Sequence, residues 1–203
     1  MSRIAAAILA AGTSSRLGTP KQLLELGGRP VLAHTVDAVK QSGADLILVA
    51  LGHEQARIQA SVDLDGVTVV SNPRYADGQS TSVVALVCEL PKDVDAAVFV
   101  LGDQPLVEPA VIDALIDAYR TAAAAIAQPR YEEGRGNPIL ISRDFFSELL
   151  EVRGDVGARP ILERHREQVR LVDVSTHSRP ADIDTMDDFE SIQEQYQRRL
   201  DHS

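Results

Sequence analysis

Short, unbroken apolar runs alternate with amphipathic stretches along most of this 203-residue chain. A run that is apolar at consecutive positions but too short for a helix predicts a strand buried on both faces. Such strands alternating with helices predict a mostly parallel sheet, doubly wound, with helices on both sides. Residues 4–9 predict the first strand, and 46–51, 67–70 and 96–101 the next three. Between them, 31–39 (opened by Pro30), 54–60 and 80–90 read as helices. In 109–119, Val111, Ile112, Leu115, Ile116 and Tyr119 fall on one helical face. Strands at 124–127 and 139–141 flank the turn 132–136, followed by helices over 144–150 and 158–166 and a strand over 169–174. The charged terminal helix, 187–200, predicts a solvated face. No internal repeat, linker or composition break divides the chain, so one α/β domain is expected over 1–203.

Composition narrows the function. Thirty acidic against twenty basic residues give a net charge of -10, which argues against nucleic acid as the partner. No uncharged run approaches the roughly 20 residues of a membrane helix, and the apolar N-terminus reads as a buried strand rather than a signal peptide. The single cysteine, Cys88, allows no intrachain disulfide and fits a reducing, cytoplasmic setting. Its apolar neighbours predict that it is buried. The five histidines show no metal-ligand spacing, so no zinc site is expected.

In sheets of this kind ligands bind beyond the carboxyl ends of the strands. The first such loop holds Gly12, Ser14, Ser15, Arg16 and Lys21. Small residues let backbone N–H groups approach a phosphate, the hydroxyls add donors, and the two cations supply a fork and a point charge. The alternative is an ordinary glycine-rich turn. The loop is neither a Walker loop nor the G-x-G-x-x-G of dinucleotide enzymes, which weighs against a Rossmann oxidoreductase. Ser80, Thr81 and Ser82 open a helix and either cap it or bind ribose or base.

The segment LAAGTSSRLGTPKQLL resembles the signature loop of the MobA-related nucleotidyltransferases, specifically the MocA-like branch of molybdenum cofactor cytidylyltransferases. The family pattern is roughly L-A-A-G-x-S-x-R-M-G-x-x-K; Leu17 replaces its Met, a volume-conserving change. The guanylyltransferase branch reads L-A-G-G, so Ala11 leans toward cytidine. Further matches run in order: Gly78-Gln79-Ser80-Thr81-Ser82, Gly102-Asp103-Gln104-Pro105, Gly136-Asn137-Pro138, Gly154-Asp155-Val156-Gly157-Ala158-Arg159 and Asp182-Ile183-Asp184-Thr185.

The resemblance implies a nucleotide-diphospho-sugar transferase type of fold and transfer of CMP from CTP to molybdopterin, with Mg as cofactor and a molybdoenzyme as possible client. It implies nucleotide contacts at Leu9, Ala10, Ala11, Gly12, Ser14, Ser15, Arg16, Lys21, Gln79, Ser80 and Ser82. It implies acceptor contacts at Asn137, Pro138, Asp155, Gly157, Ala158 and Arg159, the last of which otherwise reads as a solvated cation. Arg16, Lys21 and Asp103 are the implied catalytic residues. Asp103, just past an apolar strand, suits Mg better than it suits packing, or else it caps a turn before Pro105. Asp182 and Asp184 alternate on an extended stretch, so only one is expected to share the metal with Asp103; a helix-capping role is expected for the other. A relative using GTP or another phosphorylated acceptor would carry the same motifs. A non-catalytic cofactor-binding relative remains a third reading, although Lys21 and Asp103 are both present.

Overall fold

Residue-by-residue alternation in β1 (Ile4–Leu9) sends its side chains into two separate cores. Ile4, Ala6 and Ile8 enter one; Ala5 and Ala7 enter the other. The computed structural model describes residues 2–14, 17–122 and 124–201. After β1 come a short ribbon, β2 (Glu25–Leu26) and β3 (Arg29–Pro30), then α1 (Val31–Lys40), β4 (Leu46–Leu51), α2 (Gln55–Ser61), β5 (Thr68–Ser71) and α3 (Ser80–Glu89). The chain continues through β6 (Ala96–Leu101), α4 (Pro109–Ala122), β7 (Ile126–Tyr131), β8 (Gly134–Arg135) and β9 (Ile139–Ser142). It ends with α5 (Phe146–Leu149), α6 (Arg159–Arg164), β10 (Val169–Asp173) and α7 (Met186–Asp201).

The main sheet runs β10-β7-β9-β6-β1-β4-β5, with β8 on β7. The strands β6, β1, β4 and β5 are parallel, and so are β7 and β10. The mostly parallel, doubly wound sheet is therefore as expected, with two reversals: β9 lies antiparallel between β6 and β7, and β8 lies antiparallel on β7. On one face Leu32 and Val36 of α1 and Ile112, Leu115 and Ile116 of α4 cover the sheet; on the other, Val83 and Leu86 of α3, Phe146 of α5 and Ile161 of α6 do so. Helices on both faces leave the central strands β1 and β6 no solvated side, which is why they read as unbroken apolar runs.

Several expectations need correction. The strand expected over 124–127 starts at Ile126 and continues to Tyr131, through Pro129, because β10 pairs along it and places Val172 opposite that proline. The helix expected over 144–150 is a 3-10 turn, Arg143–Phe145, leading into the short α5. The helix expected over 158–166 ends at Arg164 and gives way to a second such turn. Cys88 is exposed, not buried. The buried stripe of α3 runs through Val83, Leu86, Val87 and on to Leu90, and Cys88 falls on the outward arc between them. The terminal helix is not solvated all round either. Phe189, Ile192 and Tyr196, three and four residues apart, pack with Leu26, Val31 and Ile183 in a third cluster.

Candidate active site

A cleft of about 850 Å³ opens at the carboxyl ends of β1 and β6. The reversal of β9 explains one of its walls. Ile139 pairs with Phe99, so the turn 136–138 that leads into β9 opens at the same end of the sheet as the loop after β6. The cleft gathers most of the residues singled out in the sequence: Leu9, Ala10, Ala11, Gly12, Ser14, Lys21, Gln79, Ser82, Asp103, Asn137, Asp155, Gly157, Ala158, Arg159, Asp182 and Asp184. Ser80 and Pro138 are buried beside it and do not line it. Ser15 and Arg16 lie outside the described residues.

Lys21 is the centre of one wall. Its ammonium donates to the Asp103 carboxylate, to Asp184 Oδ1 at 3.3 Å and to the Ile183 carbonyl at 2.9 Å. Burial alone would pull the Lys21 ammonium down, but the charges and hydrogen bonds of Asp103 and Asp184 outweigh it and hold it above its ordinary value. Asp182 takes a different partner: its Oδ1 accepts from Gln104 Nε2 at 2.7 Å. Burial, and then the negative charge of Asp103, push the Asp182 carboxyl up. Alternation along the extended stretch thus gives the two aspartates different partners, while both reach the cleft. Neither caps the terminal helix, contrary to expectation. Thr185 does: its Oγ1 accepts from Asp188 N at 3.2 Å, while Asp188 Oδ2 accepts from Thr185 N at 2.8 Å. Threonine fits there because its hydroxyl reaches the first free N–H groups, whereas the Asp184 side chain faces Lys21.

The first loop is braced by a residue that the sequence reading passed over. Gln22 is 2% exposed, and its Nε2 donates to the carbonyls of Ala10 at 2.8 Å and Gly12 at 3.3 Å. Ser14 Oγ accepts from Lys21 N at 2.9 Å and closes the loop on itself. Gln104 was passed over as well: besides Asp182 it donates to the Pro180 carbonyl at 3.3 Å. A buried glutamine beside each charged residue, Lys21-Gln22 and Asp103-Gln104, was the available signal. At the start of α3, Asn72 Nδ2 donates to Thr81 Oγ1 at 2.9 Å and Ser82 Oγ at 3.0 Å, and Thr81 Oγ1 donates to the Gly78 carbonyl at 2.8 Å. The Thr81 hydroxyl is therefore spent on local structure, while Ser82 lines the cleft.

The opposite wall joins segments that the sequence assigned to different ligands. Asp155 Oδ1 accepts from Gln79 N at 3.2 Å, and the Gly154 carbonyl accepts from Ser80 N at 3.1 Å. Gly78 makes this approach possible. It has φ +108°, and a Cβ there would lie 2.6 Å from the Gly154 carbonyl carbon. Arg159 is exposed on this wall, together with Arg135 and Arg179, which carried no motif. Beneath them Tyr131 is buried, and burial followed by the nearby Glu108 charge pushes its phenol up; the hydroxyl donates to the Asn137 carbonyl at 2.6 Å.

A mostly parallel sheet with a small-residue loop and facing acidic and basic groups at its carboxyl end defines a Rossmann-like α/β protein with its ligand cleft beyond the strand ends. The chain belongs to the MobA-like NTP transferase domain family, whose model matches residues 6–169. Similar proteins include the 2-C-methyl-D-erythritol 4-phosphate cytidylyltransferase of Desulforamulus reducens, 38% identical over 136 residues. That match covers 64% of this chain and 58% of the relative, so the chain spans little more than half of that protein's length. The nicotine blue oxidoreductase of Paenarthrobacter nicotinovorans is 28% identical over 195 residues, covering 89% of this chain and 91% of its own. Among solved structures, Rv0371c of Mycobacterium tuberculosis H37Rv in complex with manganese superposes with a TM-score of 0.81 at 33% identity, covering 95% of this chain and 98% of that one. Among the described residues no helix is long and apolar enough to cross a membrane.

Proposed function

We propose that this chain transfers CMP from CTP to a phosphorylated acceptor in a Mg-dependent reaction that releases pyrophosphate, with molybdopterin as the acceptor implied by the sequence resemblance. The observation that carries the reading is the Lys21 ammonium held by Asp103 and Asp184 at the foot of the small-residue loop. The likeness to a cytidylyltransferase and to a manganese-bound structure supports it.

Two carboxylates turned toward one ammonium suit a divalent cation, because their hard oxygens already converge on positive charge. Among the described residues no three His, Cys, Asp or Glu side chains form a metal-holding group. Mg takes one or two carboxylates and leaves the remaining positions to substrate phosphates and water. Asp103 and Asp184 would hold it, with Asp182 kept back by Gln104. When bound, the cation neutralises charge on the triphosphate.

The chain's own groups do the rest. Backbone N–H groups of residues 10–14, fixed by Gln22, receive the triphosphate, and Ser82 and Gln79 face the nucleoside. Lys21 and Arg16 balance the charge that grows on the phosphate oxygens. An acceptor phosphate oxygen attacks the α-phosphorus in line, the bond from that phosphorus to the bridging oxygen breaks, and pyrophosphate leaves with the electron pair. The attacking oxygen is already ionised at neutral pH, so no general base is needed. Asn137, Asp155, Gly157, Ala158 and Arg159 position the acceptor. The single thiol and the reaction class support a cytoplasmic setting, where a molybdoenzyme would be the natural client.

One finding favours a second reading. A relative with an oxidoreductase's name matches nearly the whole chain. One panel separates the two: thermal melting with CTP, GTP, ATP and UTP, each with and without Mg, and with NADPH. At about 100 times the dissociation constant a ligand adds about 2.7 kcal/mol. The expected result is a Mg-dependent shift, largest with CTP. A shift with NADPH alone would replace transfer with redox chemistry, and no shift with any triphosphate would overturn the proposal.

A further inference from the structure

In a chain of net charge -10, several exposed arginines find an acid: Arg29 pairs with Asp37, Arg120 with Asp45 and Arg130 with Asp173. Exposed Arg135, Arg159, Arg166, Arg170 and Arg179 find none among the described residues, and of these Arg135 and Arg179 flank one turn of the cleft, at Gly136. Both line the cleft, both are exposed, and neither makes an ion pair or side-chain hydrogen bond with a described residue. They come from separate elements, β8 and the loop between β10 and α7, and both line the cleft beside Gly136. Arg135 precedes that glycine, and a Cβ on it would lie 3.4 Å from Arg179 Nε.

The turn beside them is fixed. The Tyr131 hydroxyl holds the Asn137 carbonyl, and Gln128 Nε2 donates to the Gly136 carbonyl at 3.3 Å. A side chain at 136 would also strike the Tyr131 ring, 2.8 Å from the added Cβ. On the other side Arg179 is tied toward Asp103, because the carbonyl of the next residue, Pro180, accepts from Gln104. Two guanidiniums lining one cleft beside a fixed, uncharged turn suit an oxyanion, since each can give a phosphate two aligned N–H donors.

We infer that Arg135 and Arg179 form a subsite for a phosphate monoester group of the acceptor, separate from the loop 154–159. The word acceptor rests on the transferase reading above; the anion subsite does not.

The test is a titration of inorganic phosphate into the full chain, followed by ³¹P NMR, beside the CTP–Mg melting shift. The double variant Arg135→Gln/Arg179→Gln is compared with wild type and with Arg166→Gln/Arg170→Gln, a charge-matched control at exposed positions outside the cleft. The double variant is expected to weaken phosphate binding about tenfold or more, the control to change it less than about twofold, and the CTP–Mg shift to stay the same in all three. Equal phosphate binding by wild type and double variant, no binding by wild type, or equal loss in the control overturns the subsite. Loss of the CTP–Mg shift in the double variant would hand the arginines to the donor triphosphate and also overturn it. Phosphate binding that depends on the arginines, in a protein that no triphosphate stabilises, keeps the subsite and sinks the transferase reading instead.

Discussion

The two walls of the cleft treat charge in opposite ways. On the wall built from β1, β6 and the stretch 182–184, charged groups answer one another: Lys21 holds Asp103 and Asp184, and Gln104 holds Asp182. On the wall built from β8 and the loops carrying Arg159 and Arg179, three exposed cations have no acid among the described residues. The first wall can bind only by exchanging partners, because its charges are already satisfied. The second wall gains partners without losing any. A donor that arrives with its own cation suits the first, and a bare anion suits the second.

The strongest way to break this contrast is Asp103→Asn, which leaves Lys21 with one carboxylate instead of two. The variant is expected to fold and melt cooperatively while turnover with CTP and Mg falls by about 100-fold or more. Normal turnover would remove Asp103 from the chemistry. A smaller effect is expected where the second wall is joined to the start of α3. Gly78→Ala places a Cβ at positive φ against the Gly154 backbone and is expected to cost roughly 1–3 kcal/mol. That lowers the melting temperature by several degrees, and an unchanged melting curve would show that the two loops part freely.

The smallest effect sharpens the comparison from outside the cleft. Hydrogen bonds from His165, then Arg164, hold the Glu148 carboxyl below its ordinary value of 4.5. A lowered folded-state value means that the contribution is complete above the ordinary range and is lost as pH falls through the folded one. Glu148→Gln should therefore lower stability at neutral pH by less than about 1 kcal/mol, because solvent screens the pair. The difference from wild type should fade on acidification. Melting curves from pH 7 downward check this, and a difference that grows on acidification would reverse the sign.

Much of this was legible in the sequence because it is written in runs. The strands of the parallel core showed as unbroken apolar segments, and their carboxyl ends pointed to the loops at Lys21 and Asp103. What escaped had no local pattern. The bracing by Gln22 depends on carbonyls ten and twelve residues back, which no spacing rule reveals. Arg135 and Arg179 are 44 positions apart and share the cleft because β8 and β10 both pair with β7. The alternation of Asp182 and Asp184 suggested opposite faces and left open which of them would share a site with Asp103; both line the cleft, and it is Asp184 that reaches Lys21. The terminal helix has the solvated face its charges predict, and those same charges mask the opposite stripe of Phe189, Ile192 and Tyr196, which helical spacing alone shows.

The contact between Gly78 and Gly154 also matters for anyone who would rebuild this protein. Residues 78–80 and 154–155 are joined by two hydrogen bonds and a close backbone approach, so a loop borrowed from a homologue would be grafted onto a foreign seam. Such a chimaera should be exchanged as a two-segment cassette, with the opening of α3 travelling alongside the loop that packs on it.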